Sequence, residues 1–209
     1  MQFRIPPIYP ITDKRLSGKN THLAIVRELI RGGAAIIQIR DKGTPVRQLL
    51  LDIRRCAEYA AGFDVKIIVN DRCDLAVLAG VAGVHLGQDD LPPAFAREVI
   101  GRGAIVGFST HSPAQARQAN RLPVDYVAFG PIFATATKSH SSPVTGLAAL
   151  RRVCRQSARP VVAIGGIGLE QVPAVREAGA ASIAVISAIM QARSIARSLE
   201  QFLRAAESV

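Results

Sequence analysis

The sequence repeats one pattern eight times: a short apolar run is followed by polar or glycine-rich residues, usually before a stretch with helical spacing. The runs span Ile8–Thr12, Ala35–Arg40, Lys66–Asn70, Gly83–Leu86, Ala104–Phe108, Tyr126–Phe129, Val161–Ile164 and Ile183–Ile186. Apolar runs without alternation are typical of parallel strands that are covered on both faces. Because the carboxyl ends of parallel strands meet at one rim, we expect the polar residues that follow the runs to gather there.

Helical periodicity fills most of the intervals between these runs. The helical stretches predicted from it include Thr21–Arg31, Val46–Ala61, Pro113–Asn120, Ala148–Ser157, Leu169–Ala178 and Ile195–Ala205. Ser112 before Pro113 is a typical N-cap, and Gly32 and Gly179 stand where helices are expected to end. Eight βα units in 209 residues predict a single (β/α)8 TIM barrel over residues 1–209. An open doubly wound sheet is less favoured, because no Gly-x-Gly-x-x-Gly turn follows the first run.

Composition narrows the class of protein without identifying it. No apolar run approaches the roughly 20 residues that cross a bilayer, and the N-terminus lacks the apolar stretch of a secretory signal. Three cysteines without a Cys-x-x-Cys pair indicate reduced thiols and a cytoplasmic protein. The net charge of +10 is typical of a solvated arginine-rich surface, and it also suits a polyphosphate substrate or a nucleic acid. Only 5% aromatic residues and no tryptophan argue against a nucleic-acid partner.

The end of the second run carries Gln38, Arg40 and Lys42 at alternate positions. Residues i, i+2 and i+4 of an extended segment point to the same side, so these three are expected to face one pocket. Two cations there would bind phosphate oxygens. The alternative is a strand-end ion pair of Arg40 with Asp41 or Asp71.

Carboxylates follow the third and fourth runs, at Asp71 and at Asp89 and Asp90. Beside phosphate-binding cations they suggest a magnesium ion that bridges the protein and a polyphosphate, because magnesium prefers oxygen ligands. Taken alone, Asp71 or Asp89 is as readily explained as a helix N-cap.

Two later segments are candidates for anion binding. A loop without helical periodicity runs from Gly130 to Gly146 and contains hydroxyl residues followed by a lysine, which suggests a lid or a clamp. Gly165-Gly166 follows the seventh run, where many barrels bind a phosphate through backbone N–H groups. His85, inside a run, is expected to be a hydrogen-bonded core residue rather than a metal ligand.

In combination, these segments resemble the thiamine phosphate synthase family over nearly the whole chain. The resemblance is carried by Tyr9-Pro10-Ile11-Thr12-Asp13, Gln38-Ile39-Arg40-Asp41-Lys42, Val69-Asn70-Asp71, His85-Leu86-Gly87-Gln88-Asp89-Asp90, Gly130-Pro131-Ile132-Phe133, Thr135-Ala136-Thr137-Lys138 and Ile164-Gly165-Gly166-Ile167. It implies a transferase that joins hydroxymethylpyrimidine diphosphate to a thiazole phosphate, giving thiamine phosphate and pyrophosphate. It further implies that the pyrophosphate leaves first and that the thiazole nitrogen then captures the pyrimidine cation.

The resemblance also implies roles for individual residues. The residues implied to hold the pyrimidine diphosphate are Gln38, Arg40, Lys42, Asn70, Ser109 and Lys138. Among them, Ser109 would lie near the pyrophosphate. Arg40, Lys42 and Lys138 would be the catalytic cations. Those implied to receive the thiazole phosphate are Thr135, Thr137, Gly166, Ile186 and Ser187. Asp71 and Asp90 would hold Mg²⁺. The expected partners are small phosphorylated substrates, with no nucleic acid, no membrane and a possible homo-oligomer.

Two other functions remain open from the sequence. A thiazole tautomerase, an isomerase of the same superfamily, needs neither the diphosphate nor the metal. A non-catalytic barrel could bind a nucleic acid or another partner through its arginine-rich helices. The stretch Ser139–Pro143 lacks the acidic or asparagine-rich character expected in this family, which leaves the closing of the loop as a lid open.

Overall fold

The computed structural model describes residues 4–135 and 143–207, and within them eight strands form one parallel sheet. The strands are β1 (Ile8–Pro10), β2 (Ile36–Ile39), β3 (Lys66–Asn70), β4 (Gly83–Leu86), β5 (Ile105–Thr110), β6 (Tyr126–Phe129), β7 (Val161–Ile164) and β8 (Ser182–Val185). Each strand from β2 to β8 pairs with the next, and β8 pairs with β1. A parallel bridge between Ile11 and Gln38 joins the two ends, so the sheet closes and the predicted TIM barrel is confirmed.

Helices surround the sheet. They are α1 (Lys14–Ser17), α2 (His22–Arg31), α3 (Val46–Ala61), α4 (Cys73–Ala79), α5 (Pro93–Ile100), α6 (Pro113–Ala119), α7 (Gly146–Gln156), α8 (Val172–Glu177, after a 3₁₀ turn at Leu169–Gln171), α9 (Ser187–Met190) and α10 (Ile195–Glu207). Among the described residues, no helix combines the length and the apolar character needed to span a bilayer.

Local sequence explains where several helices begin and end. The Ser112 hydroxyl accepts a hydrogen bond from the Gln115 backbone N–H at the start of α6, as predicted for an N-cap before Pro113. Gly32 ends α2, and Gly179 follows α8 with a φ of 96°, a conformation that favours glycine. These punctuating residues set the lengths of the βα units, and hence the positions of the strand ends.

The predicted elements differ from the structure mainly where they are short. Helices α1, α4, α5 and α9 are absent from the predicted set, because one or two turns give little periodicity. Strand β5 extends to Thr110 rather than ending at Phe108. Ser109 and Thr110 are buried and pair with β6, so they belong to the sheet and not to the loop after it.

Candidate active site

The carboxyl ends of the eight strands surround a cavity of about 510 Å³, a size typical of sites for small ligands. Every predicted site residue among those the structure describes lines this cavity: Gln38, Arg40, Lys42, Asn70, Asp71, Asp90, Ser109, Thr135, Gly166, Ile186 and Ser187. Thr137 and Lys138 lie outside the described residues. The strand ends thus bring together residues that are up to 149 positions apart, from Gln38 to Ser187.

Strand β2 delivers the amide and the two cations to the cavity, as their alternate spacing predicts. Gln38 lies within the strand and is 2% exposed, whereas Arg40 and Lys42 follow its end. Both cations lie near carboxylates in the structure. Arg40 Nη1 lies 4.0 Å from an Asp13 carboxylate oxygen, and Lys42 Nζ lies 3.4 Å from Asp71 Oδ2. These long contacts leave both cations able to accept an anionic ligand.

Asp41 is not the partner of Arg40, because it turns away into a buried network. Its Oδ2 lies 2.9 Å from Lys14 Nζ and 3.0 Å from Nε2 of the buried His22, whose Nδ1 lies 2.8 Å from the Thr12 hydroxyl. The Thr12 hydroxyl in turn accepts a hydrogen bond from the Arg40 backbone N–H. This network fixes the backbone that carries Arg40 and Lys42.

The network determines the charge of its two titratable members. Burial alone would raise the pKa of the Asp41 carboxyl, but hydrogen bonds from Lys14 and from the residues that follow Asp41 together hold it well below its usual range. Burial lowers the pKa of His22 despite the neighbouring carboxylates. At neutral pH, Asp41 is therefore ionised and the His22 imidazole is neutral.

Asp71 and Asp90 form an acidic pair after the neighbouring strands β3 and β4, beside Lys42. Burial, followed by the hydrogen bond and the negative charge of Asp90, raises the pKa of Asp71. Asp90 Oδ2 accepts a hydrogen bond of 2.6 Å from the Gly87 backbone N–H, which fixes the orientation of that carboxylate. Asp71 has a φ of 64°, an uncommon conformation for a residue other than glycine, and such strain concentrates at functional sites.

Neither Asp71 nor Asp89 is a helix cap. Helix α4 starts at Cys73 and helix α5 at Pro93, and neither receives a side-chain hydrogen bond at its N-cap. Asp89 is exposed and Asp90 partly buried. Within residues 4–135 and 143–207, no group of three or more His, Cys, Asp or Glu residues is arranged to hold a metal ion. The arrangement is thus a pair of carboxylates, which suits a cation that takes its other ligands from water or phosphate.

The glycines after β7 accommodate the loop that follows β6. A Cβ on Gly166 would lie 2.3 Å from the Ala134 carbonyl oxygen, and one on Gly165 would lie 2.5 Å from Pro131. The Phe133 backbone N–H donates to the Gly165 carbonyl at 3.0 Å. Because Gly165 and Gly166 have no side chains, the loop that contains Thr135 can pack closely against them at the edge of the cavity.

A hydrogen-bonded group at the base of the cavity is not predicted by the sequence patterns. Tyr9 and Tyr126, both completely buried, link Gln38 to His85, and His85 Nε2 lies 2.8 Å from the Ser109 hydroxyl. His85 is the hydrogen-bonded core residue that was expected, but it also lines the cavity. The aromatic residues in two short strands are the only sequence signal, and they are equally typical of ordinary core packing.

The fold and the cavity define a (β/α)8 barrel with a polar ligand site at the carboxyl rim of its strands. The model of the thiamine monophosphate synthase family matches residues 8–189. The chain belongs to this family, as its motifs predict.

Individual relatives support the same assignment. A thiamine-phosphate synthase of Koribacter versatilis is 43% identical over 191 residues, which cover 90% of each chain. One of Chloroflexus aurantiacus is 40% identical over 202 residues, 97% of this chain and 93% of the relative. The solved structure of a thiamine phosphate pyrophosphorylase from Pyrococcus furiosus is 34% identical, has a TM-score of 0.88 and covers 97% of this chain and 96% of its own.

Proposed function

We propose that this chain is a magnesium-dependent thiamine phosphate synthase, which joins hydroxymethylpyrimidine diphosphate to a thiazole phosphate and releases pyrophosphate. Membership of the family supports the transferase activity, and the relatives favour neither the thiazole tautomerase nor the non-catalytic basic barrel. The single observation that carries the proposed site is the meeting of Arg40 and Lys42 with the Asp71–Asp90 pair in one cavity.

The cations bind the diphosphate and favour its departure. Arg40 can present two parallel N–H groups to phosphate oxygens, whereas Lys42 acts as a point charge. Their present carboxylate contacts, at 4.0 and 3.4 Å, are longer than a charge-assisted hydrogen bond, so a phosphate oxygen can compete for both groups. Negative charge accumulates on the leaving pyrophosphate in the transition state, and fixed cations stabilise it more than they stabilise the bound substrate.

Asp71 and Asp90 are the proposed ligands of the magnesium ion. The raised pKa of Asp71 reflects burial and a neighbouring negative charge, and a bound cation would relieve both costs. The ion would supply additional positive charge for the pyrophosphate oxygens. Proteins usually bind magnesium with a polyphosphate through one or two carboxylates, and phosphate oxygens and water fill the other coordination positions.

The reaction itself needs no protein base. The bond between the pyrimidine methylene carbon and the diphosphate oxygen breaks, and its electron pair leaves with the pyrophosphate. The lone pair of the thiazole nitrogen then forms the new C–N bond, so no proton is transferred. Gln38, which is 2% exposed, and Asn70 are the proposed contacts of the pyrimidine.

The thiazole phosphate is proposed to bind on the other side of the cavity. Thr135, Gly166, Ile186 and Ser187 line this side and offer hydroxyl and backbone N–H donors. Thr137 and Lys138 follow Thr135 in the sequence, and their roles stay predictions. We expect Lys138→Ala to lower kcat/KM at least about tenfold, which corresponds to one lost charge-assisted contact.

The proposed activity is tested by incubating the purified protein with both substrates and measuring thiamine phosphate and pyrophosphate together. We expect equal amounts of the two products with magnesium and none after chelation with EDTA, with activity restored by added magnesium. Thiamine phosphate formation that is unaffected by EDTA would overturn the metal assignment only. Absence of both products with magnesium present would overturn the proposed function.

The cysteines and the arginine-rich surface bear on location and partners. Cys56, Cys73 and Cys154 are free thiols, and burial raises the pKa of each of them, which suits a reducing cytoplasm. The exposed arginines are proposed to be a solvated surface rather than a nucleic-acid interface. A homo-oligomer stays a prediction, which sedimentation of the purified protein would test.

A further inference from the structure

A continuous chain of buried hydrogen bonds runs beneath the cavity from Gln38 to Ser109. Gln38 Nε2 donates to the Tyr9 hydroxyl at 3.1 Å, and the Tyr9 and Tyr126 hydroxyls lie 3.0 Å apart. The Tyr126 hydroxyl lies 2.9 Å from His85 Nδ1, and His85 Nε2 lies 2.8 Å from the Ser109 hydroxyl. Both ends of the chain line the ligand cavity, and all five side chains are at most 9% exposed.

The direction of donation is transmitted along this chain. Burial raises the pKa of both tyrosines, so each keeps its single O–H donor at neutral pH. A neutral imidazole has one nitrogen that donates and one that accepts. If His85 Nδ1 accepts from Tyr126, Tyr126 has no proton left for Tyr9. Tyr9 must then donate to Tyr126, and Gln38 must donate its amide N–H to Tyr9.

The His85 tautomer also determines which hydrogen-bonding groups Gln38 and Ser109 present to a ligand in the cavity. With His85 Nδ1 as acceptor, its Nε2–H donates to the Ser109 oxygen, and the Ser109 O–H is directed elsewhere. Gln38, which uses an N–H for Tyr9, leaves its carbonyl oxygen as the acceptor. In the opposite tautomer Ser109 donates to His85 Nε2, and His85 Nδ1–H donates to Tyr126. With Tyr126 then donating to Tyr9 and Tyr9 to Gln38, the Gln38 side-chain amide is reversed and accepts through its oxygen. The observed contact of Gln38 Nε2 with Tyr9 matches the first arrangement.

Strand β5 leaves space for the Tyr126 and His85 rings, because it has a glycine where they pack. Gly107 lies in β5, and a Cβ at this position would lie 2.1 Å from Tyr126 Cζ and 2.5 Å from His85 Nδ1. The rings of His85 and Tyr126 also stack, with centroids 5.6 Å apart. Tyr9 and Tyr126 meet edge to face at 5.8 Å. Packing therefore holds the rings in place, and the hydrogen bonds follow from their positions.

We propose that Tyr9, Tyr126 and His85 are positioning residues that lock the hydrogen-bond direction at both ends of the cavity, so that Gln38 presents an acceptor and Ser109 a donor. The choice of direction rests on the proposed function, because a phosphate anion accepts hydrogen bonds and needs a donor from Ser109. The pyrimidine end then selects a ligand group that donates to Gln38, such as an exocyclic amine. A ring bearing a carbonyl at that position is rejected, because two acceptors would face each other.

The first test measures the His85 tautomer directly and needs no turnover. The protein is labelled with 15N-histidine and saturated with magnesium and inorganic pyrophosphate, and the ring signals of His85 are assigned by their loss in His85→Gln. We expect Nδ1 to be unprotonated and Nε2 to carry the proton. A protonated Nδ1, whether in the opposite tautomer or in the imidazolium, would overturn the proposal.

The second test asks whether the two ends are coupled through the tyrosines. The effects of Gln38→Ala, Ser109→Ala and the double variant on kcat/KM are measured in the wild-type background and in Tyr126→Phe, which keeps the ring and removes the hydroxyl. We expect the two single effects to deviate from additivity by about fivefold in the wild type and to be additive within about twofold in Tyr126→Phe. Equal coupling in both backgrounds would overturn transmission through the chain.

A matched control separates this effect from general loss of tyrosine hydroxyls. Tyr59 packs on Phe63 and Arg27 at the outer face of the barrel, so Tyr59→Phe is expected to leave the coupling unchanged. Loss of coupling in Tyr59→Phe as well would contradict a specific role of Tyr126. If the wild-type protein forms no thiamine phosphate, the proposed function fails, and the tautomer measurement alone still decides the hydrogen-bond direction.

Discussion

Replacing Asp90 with asparagine is the most direct test of the acidic pair. Asparagine has nearly the same shape and can still accept the 2.6 Å hydrogen bond from the Gly87 N–H, so the local backbone should be preserved. The substitution removes one of the two negative charges that we propose to hold magnesium. It also removes the charge that contributes to the raised pKa of Asp71.

The expected effect on magnesium follows from the charge removed. Two unit charges about 4 Å apart near a protein surface interact by about 4 kcal/mol. The cavity mouth is partly open to solvent, which reduces this value. A loss of about 1.4 to 2.7 kcal/mol would raise the magnesium concentration at half-maximal rate by about ten- to a hundredfold. Because saturating magnesium compensates for weaker binding, most of the lost rate should return at high concentration.

Asp89→Asn is the matched control, because Asp89 is adjacent, carries the same charge and is exposed. The assay is the rate of pyrophosphate release as magnesium is titrated, at constant ionic strength so that general screening does not change. We expect Asp89→Asn to raise the half-maximal magnesium concentration by less than about threefold, as befits an exposed charge. A larger effect of Asp89→Asn than of Asp90→Asn would refute the assignment and make Asp89 the ligand.

Three further substitutions test the cations, the buried network and the packing. Arg40→Ala should lower kcat/KM at least about tenfold without changing the circular dichroism spectrum, whereas Arg121→Ala, at an exposed position, should keep normal kinetics. Asp41→Asn should lower the free energy of unfolding in urea by about 1 to 3 kcal/mol at pH 7. Because folding lowers the pKa of Asp41, this difference should shrink as the pH falls below about 4, where the carboxyl takes up a proton in the unfolded wild-type chain while it is still ionised in the folded one. Gly107→Ala should cost about 3 kcal/mol or prevent folding, since its Cβ would overlap Tyr126, whereas Gly103→Ala, with no atom within 4 Å, should change the free energy of unfolding by less than about 1 kcal/mol. Normal stability of Gly107→Ala would show that the Tyr126 ring is not held as described.

The sequence by itself determines the barrel and the composition of its rim. Each buried strand is a short apolar run that is punctuated by a cap or a glycine, so eight βα units can be counted without coordinates. Alternation at Gln38, Arg40 and Lys42 is a local property of an extended segment and predicts a common direction. Short helices such as α4 are not predicted from the sequence, because their formation depends on packing against neighbouring elements more than on their own periodicity.

Only the tertiary structure decides which polar groups meet. The Asp41 side chain is adjacent to Arg40 in sequence, yet it pairs with Lys14 and His22, because the closing of β1 against β2 brings those residues beneath it. The chain from Tyr9 to His85 joins β1, β6 and β4, three strands whose interior side chains meet only when the barrel closes. Contacts of this kind depend on strand tilt and register, which no local pattern of residues encodes.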